Sequence, residues 1–288
     1  MKKNILILLT VFSIVSSAQQ SNNPVLDIFQ NTQFYNLLDS ANTKLIIFLH
    51  GGVTNPHFEE SKEHITFNYI TEDNDRFVKQ ASQNGFDLIT PITNIKMNWL
   101  NEPIKSLETI QAYISTIPKK YEEIYISGFS DGGTASYKMF YTSPDYFAGL
   151  LVFNGFPQYS NNHRGINYSS VTAKKIIYYG TLNDKRMPYE FLLAVYCDQK
   201  IANSNTYLYV VDGAHSFNTY DENDIKELFL ILNGTVHNNE TVALHGFVKN
   251  DQLISIYPYR KKIIRKYGFG QKVYEENVKQ LKQYGKLN

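Results

Sequence analysis

Ser130, Asp184 and His215 supply a hydroxyl, a carboxylate and an imidazole, each lying at or just beyond the end of an apolar run of strand length. In such a set the serine can attack a carbonyl, the histidine can take its proton, and the carboxylate can orient the histidine and offset its charge. The most specific segment surrounds Ser130. Ile124-Tyr125-Ile126-Ser127 leads into Gly128-Phe129-Ser130-Asp131-Gly132-Gly133, and a helical pattern follows from Thr134 to Tyr141. A serine on a sharp strand-to-helix turn needs strained backbone angles and close approach by other backbone. Glycines two before and two after it remove the side chains that would clash. The first amides of the helix then lie near the serine oxygen, where they can stabilise developing negative charge.

A lone Gly-x-Ser-x-Gly is common at strand ends; three further segments give this one weight. Leu45-Ile46-Ile47-Phe48-Leu49 ends in His50-Gly51-Gly52, whose backbone can turn back towards the serine. The oxyanion hole is assigned to the backbone amides of Gly52 and Asp131, with Val53 as a substitute. His50 is read as a buttress of that loop. The strand candidate Lys175 to Tyr179 is followed by Gly180-Thr181-Leu182-Asn183-Asp184, which sets a carboxylate just past a strand end, where the active-site loops of open parallel sheets gather. Asp184 could instead cap the following helix, and Asp212 is the alternative acid. Tyr207 to Val211 runs into Asp212-Gly213-Ala214-His215, so the order is serine, aspartate, histidine. The other histidines, His57, His64, His163, His237 and His245, fall on loops or outside the strand-end pattern and are read as surface or structural residues.

These side chains need a frame that brings strand ends together. Strand candidates at Lys44 to Leu49, Phe86 to Ile89, Glu123 to Ser127, Gly149 to Asn154, Lys175 to Tyr179 and Tyr207 to Val211 alternate with helix candidates. The helices are expected at Asp73 to Ser82, Ser106 to Ile117, Asp131 to Tyr141, Tyr189 to Ala202 and Glu222 to Leu232. Alternation of this kind suggests βαβ units, and the continuous apolar runs suit parallel strands covered on both faces. A doubly wound α/β layer structure follows. Two loops could line a cleft: the long stretch Gly51 to Thr71, and Asn94 to Asn101, which carries the only tryptophan, Trp99. Trp99 and Phe129 are the candidate substrate contacts; the other reading of Trp99 is packing beneath its loop.

The quoted segments resemble the α/β-hydrolase superfamily, specifically the carboxylesterase/phospholipase-like and polyhydroxyalkanoate-depolymerase-like esterases. The resemblance rests on Leu49-His50-Gly51-Gly52, Gly128 to Gly133, Gly180 to Pro188 and Gly213-Ala214-His215, within residues 40–235. It implies the α/β-hydrolase fold, with a mostly parallel, doubly wound sheet in three layers. It also implies a Ser-Asp-His acyl hydrolase needing no cofactor and no metal, with a small-molecule or polymeric ester as substrate. Three residues separate Gly180 from Asp184, where such esterases often have two. A serine peptidase of the same fold and a non-catalytic binding protein on that fold are the competing readings.

Composition narrows the surroundings. With 288 residues, 43% hydrophobic and 19% charged, the chain suits one sizeable globular domain. Lys and Arg number 28 against 27 Asp and Glu, so no whole-molecule field favours nucleic acid, which is not expected as a partner. Lys2 and Lys3, the apolar run Ile5 to Val15 and Ser16-Ser17-Ala18 read as a signal peptide over residues 1–18, shorter than a membrane span. A secreted or periplasmic hydrolase domain over 19–238 is therefore expected. Cys197 is the only cysteine, which excludes an internal disulfide, a cysteine zinc cluster and a lipid-anchored cysteine after Ala18. Residues 239–288 form a basic extension of unassigned role. From Arg260 on, nine Lys and Arg, Lys262 and Lys279 among them, face only Glu275 and Glu276. Such a run offers weak contact to an anionic surface, or is a solvated helix face.

Overall fold

The computed structural model describes residues 33–53, 75–93, 98–155, 168–181, 183–187, 192, 195, 196, 199, 203, 205–235, 248–249 and 252–253. The expected signal peptide, the rest of the long loop after Val53, Cys197 and the basic run from Arg260 lie outside them.

Seven strands form one sheet: β1 (Gln33–Leu37), β2 (Lys44–Leu49), β3 (Phe86–Ile92), β4 (Glu123–Phe129), β5 (Gly149–Phe153), β6 (Lys175–Thr181) and β7 (Thr206–Val211). Their order is β1-β3-β2-β4-β5-β6-β7, with β1 antiparallel to β3 and all other pairs parallel. Four helices of the described residues are complete: α1 (Asp75–Gln83), α2 (Pro103–Ser115), α3 (Asp131–Thr142) and α4 (Glu222–Leu232). Residues 192, 195, 196 and 199, in the fourth expected helix, are also helical. Val248–Lys249 and Gln252–Leu253 make a separate two-strand pair.

The three layers follow from the period-2 geometry of strands, since successive side chains of a buried strand serve opposite faces. Leu45, Ile47 and Leu49 of β2 join a core with Leu107 and Ile110 of α2 and Met139 and Phe140 of α3. Ile46 and Phe48 join the opposite core, with Phe77 of α1 and Leu228 and Phe229 of α4. β5 and β6 repeat the pattern: Leu150 with Ile176 on one face, Leu151 with Ile177 on the other.

Boundaries moved where local chemistry outranked periodicity. The helix expected from Ser106 begins at Pro103, because proline at the first helical position has its backbone angle preset and lacks an N–H that would have no helical partner. It stops before Ile117-Pro118, since the residue preceding proline avoids the helical region. β3 runs on through Pro91 to Ile92 because its far edge pairs with β1, a strand not anticipated from the mixed polarity of Gln33-Phe34-Tyr35-Asn36-Leu37. At the amino end of β3, buried Asp87 accepts from the Asp39 amide, Asn42, Lys119 Nζ and Tyr121 Oη, tying together the loops at that end of the sheet.

The turn between β4 and α3 depends on Gly132. A Cβ on this residue would sit 1.9 Å from the Leu49 carbonyl oxygen and 2.6 Å from that of His50. Only a glycine lets α3 start this close to the end of β2. Gly132→Ala should therefore lower stability by about 3 kcal/mol or more, as backbone rather than a side-chain tip must give way. Urea denaturation of the two proteins would measure this; an unchanged midpoint would show that the contact relaxes freely.

Candidate active site

Parallel strands end on the same edge of a sheet, so the residues that follow β4, β5, β6 and β7 are neighbours in space. Ser130 follows β4, Asn154 follows β5, Asp184 lies just past β6 and His215 just past β7. Ser130 has φ 55° and ψ −120°, between the strand and the first residue of α3. Its amide donates to the Phe153 carbonyl at 2.9 Å, and its carbonyl accepts from Thr134 at 3.0 Å, the first helical bond of α3. The side chain is thereby turned out at the strand edge.

The three side chains form one hydrogen-bonded line. His215 Nε2 lies 2.8 Å from Ser130 Oγ, and His215 Nδ1 lies 2.6 Å from Asp184 Oδ2. An ionised carboxylate only accepts, so Nδ1 carries the proton and Nε2 is left to accept from the serine hydroxyl. Asp184 is fully buried, whereas the His215 side chain remains 11% exposed. Burial pushes the Asp184 carboxyl up, but bonds from His215, the Met187 amide and Asn154, with the charge of His215, hold it below the usual carboxylate range. Its Oδ1 accepts from the amides of Arg186 and Met187, both at 2.8 Å, so one carboxylate holds the turn that follows it and the partnership with His215 at once. The alternative acid, Asp212, is exposed and accepts from Asn183 Nδ2 at 2.8 Å.

The His50-Gly51-Gly52 turn lies beside the serine: a Cβ on Gly51 would be 2.9 Å from the Ser130 Cβ. Gly52 has φ 79°, a left-handed angle that suits glycine, and Asp131 is the first residue of α3. Asp131 thus follows the serine directly, and Gly52 follows the glycine that abuts it. His50 is a buried strut. The Thr93 amide donates to its Nε2 at 3.3 Å, which leaves Nδ1 protonated and 2.7 Å from the Gly51 carbonyl.

Both expected substrate contacts need correction. Trp99 is 0% exposed and packs edge-on against His50, with centroids 4.6 Å apart, so it braces the loop from beneath and offers no face to a ligand. Phe129 is 3% exposed and lies under the His215 ring at 4.9 Å, edge-on to Phe217. Its bulk supports the imidazole. Asn154, Thr181 and Tyr220 were absent from the residues singled out by sequence. The available signal was Asn154-Gly155 directly after a strand, a pair that often marks a left-handed turn.

No family model matches the chain, and no curated protein matches it. Many solved structures do. A CIB-like hydrolase from Thermoplasma acidophilum superposes with a TM-score of 0.51 at 15% identity, over 71% of this chain and 94% of that one. The esterase Pf2001 of Pyrococcus furiosus gives 0.52 at 15% identity, over 70% and 88%. Est1E from Butyrivibrio proteoclasticus, with ferulic acid bound, gives 0.52 at 13% identity, over 69% and 94%. At these identities the likeness is one of fold, and the fold is that of the α/β-hydrolases.

A carboxyl group whose folded-state pKa is depressed contributes stability above its unfolded pKa, and this is lost as pH falls through the folded value. Asp184→Asn would place an amide N–H against one of the donors around that carboxylate. Parent and variant should therefore differ in urea midpoint at pH 7, and the difference should fade as the pH drops below about 3.8, the group's ordinary value. A gap of constant size down to pH 2.5 would show that the carboxylate charge contributes nothing.

Proposed function

We propose that this chain, built on the α/β-hydrolase fold, is an exported serine hydrolase that cleaves carboxylic esters through an acyl-enzyme. The observation that carries the reading is the unbroken line from Ser130 Oγ through His215 to a buried, fully hydrogen-bonded Asp184, at 2.8 and 2.6 Å. Surface serines and histidines meet by chance, but a left-handed serine on a strand-to-helix turn aimed at a histidine that itself holds a buried carboxylate is the geometry of nucleophile, base and orienting acid.

In this mechanism Ser130 Oγ attacks the ester carbonyl carbon as its proton passes to His215 Nε2. The carbonyl oxygen takes the negative charge and is met by the amides of Gly52 and Asp131. Asp184 stabilises the imidazolium and stays ionised, consistent with its depressed pKa. Collapse of the tetrahedral species expels the alcohol, which takes the proton from His215. Water then attacks the acyl-serine with His215 again as base, releasing the acid and restoring the hydroxyl. Every proton and electron pair is accounted for without a cofactor. One of the fold neighbours, Pf2001, is named an esterase, which favours an ester over other acyl substrates.

The decisive test is labelling of the mature protein by a fluorophosphonate, together with assays of esters of graded acyl length beside peptide amides. The parent should label and turn over esters; Ser130→Ala should lose labelling, and ester turnover should fall by about 10⁴-fold or more. A parent that neither labels nor hydrolyses any ester would overturn the proposal, and turnover of amides alone would favour a peptidase. Export carries its own expectation: the secreted chain should begin at Gln19 on N-terminal sequencing, and an intact Met1 on it would exclude cleavage after Ala18.

A further inference from the structure

Asp184 has a partner just past β5 that the triad chemistry does not require. Asn154 is one of two non-glycine residues with positive φ among those described, at 45°; Ser130 is the other. Asparagine tolerates this angle better than most residues, yet the conformation is held only where surrounding bonds enforce it. Here the Asn154 amide donates to the Tyr179 carbonyl at 2.8 Å, and the carbonyl just before it, on Phe153, accepts the Ser130 amide. The twist that ends β5 is thus braced on one side by β6 and on the other by the serine turn.

The twist delivers the Asn154 side chain to the acid. Nδ2 lies 2.7 Å from Asp184 Oδ2 and 2.8 Å from Thr181 Oγ1, while Oδ1 accepts from the Tyr220 hydroxyl. The direction of every bond is determined. Thr181 gives its own proton to the Ala214 carbonyl at 3.1 Å, so its oxygen is free to accept from the amide. Tyr220 is fully buried, and burial with the charges of Asp184 and Asp224 raises its pKa well above the ordinary value, so it stays a donor. A reversed amide would set its oxygen against a carboxylate and its N–H₂ against a hydroxyl donor. Oδ2 of Asp184 therefore receives one N–H from Asn154 and one from His215, and Oδ1 two backbone N–H groups.

We infer that Asn154, oriented by Tyr220, is a positioning residue for the acid: it occupies one side of Asp184 Oδ2, holds the carboxylate in a single rotation, and leaves the other side of that oxygen for His215 alone. The inference rests on the Ser-His-Asp reading above. Since Ala214 adjoins His215, the same network also ties the loop of the base to that of the acid.

Asn154→Asp supplies a test that a purely structural role would not satisfy. One oxygen of the new side chain can still accept from Tyr220, but the other can replace the lost N–H only while it carries a proton, because two carboxylates at this spacing cannot both ionise in a buried place. The ratio of variant to parent fluorophosphonate labelling rates, followed from pH 5 to 9, should be highest at the acid end and fall as the shared proton leaves. Asn154→Leu, with no donor, should be slower by about ten- to a hundredfold at every pH, the scale of one hydrogen bond to a charged group. Tyr220→Phe, which frees the amide to reverse, should be about tenfold slower. A flat ratio for Asn154→Asp, or labelling at the parent rate by Asn154→Leu or Tyr220→Phe, would overturn the inference. Asp184→Asn is labelled in parallel. If it reacts as fast as the parent, the triad reading fails; if it is slow while Asn154→Asp shows a flat ratio, only the positioning role fails.

Discussion

A carboxylate removed from water must be given a hydrogen-bond donor on each side of each oxygen, or it takes up a proton and ceases to be a charge. Asp184 is such a group, and the strand ends around it are arranged as that condition demands. Its own loop supplies the Arg186 and Met187 amides, the turn after β5 supplies Asn154, and the loop after β7 supplies His215. The charge so retained fixes the proton on Nδ1 of His215, and this in turn leaves Nε2 open to the serine. The polarity of the whole line thus originates in one buried group.

The proposed reaction also needs a stiff floor, because a displacement of about 1 Å between reacting groups is enough to cost a large factor in rate. That floor is aromatic. Phe129 lies under the His215 ring; Phe217 meets Phe48, Phe77, Phe129 and Phe153 edge-on; and Tyr220, which orients Asn154, packs against Phe153, Tyr179 and Phe217. Edge-to-face rings interlock and resist sliding. On the other side, Trp99 and His50 hold the Gly51-Gly52 turn against Ser130 from beneath. Residues that looked like cleft walls are the supports of the groups they adjoin.

Much of this was legible in the chain. Apolar runs of strand length alternating with helical patterns announce a parallel sheet, and β2 and α4 lie at the expected residues. Ser130, Asp184 and His215 could be chosen because each follows a strand in a parallel sheet, where strand ends converge whatever the loops do. β1 was not legible, since an edge strand of mixed polarity carries no periodic signal and exists only because β3 is there to pair with. The extension of β3 through Pro91 has the same origin.

Residue types and their order along the chain, then, determined the six parallel strands, the strained serine turn and the strand ends at which Ser130 and His215 lie, because these depend on local backbone rules and on apolar runs of strand length. Tertiary structure alone decided which aspartate meets the histidine, Asp184 rather than Asp212, and which aromatics are buried. It also decided that Asn154, Thr181 and Tyr220 converge on the acid. These residues sit on different strands and loops, and hydrogen bonding between them depends on directions in space that no spacing along one strand encodes.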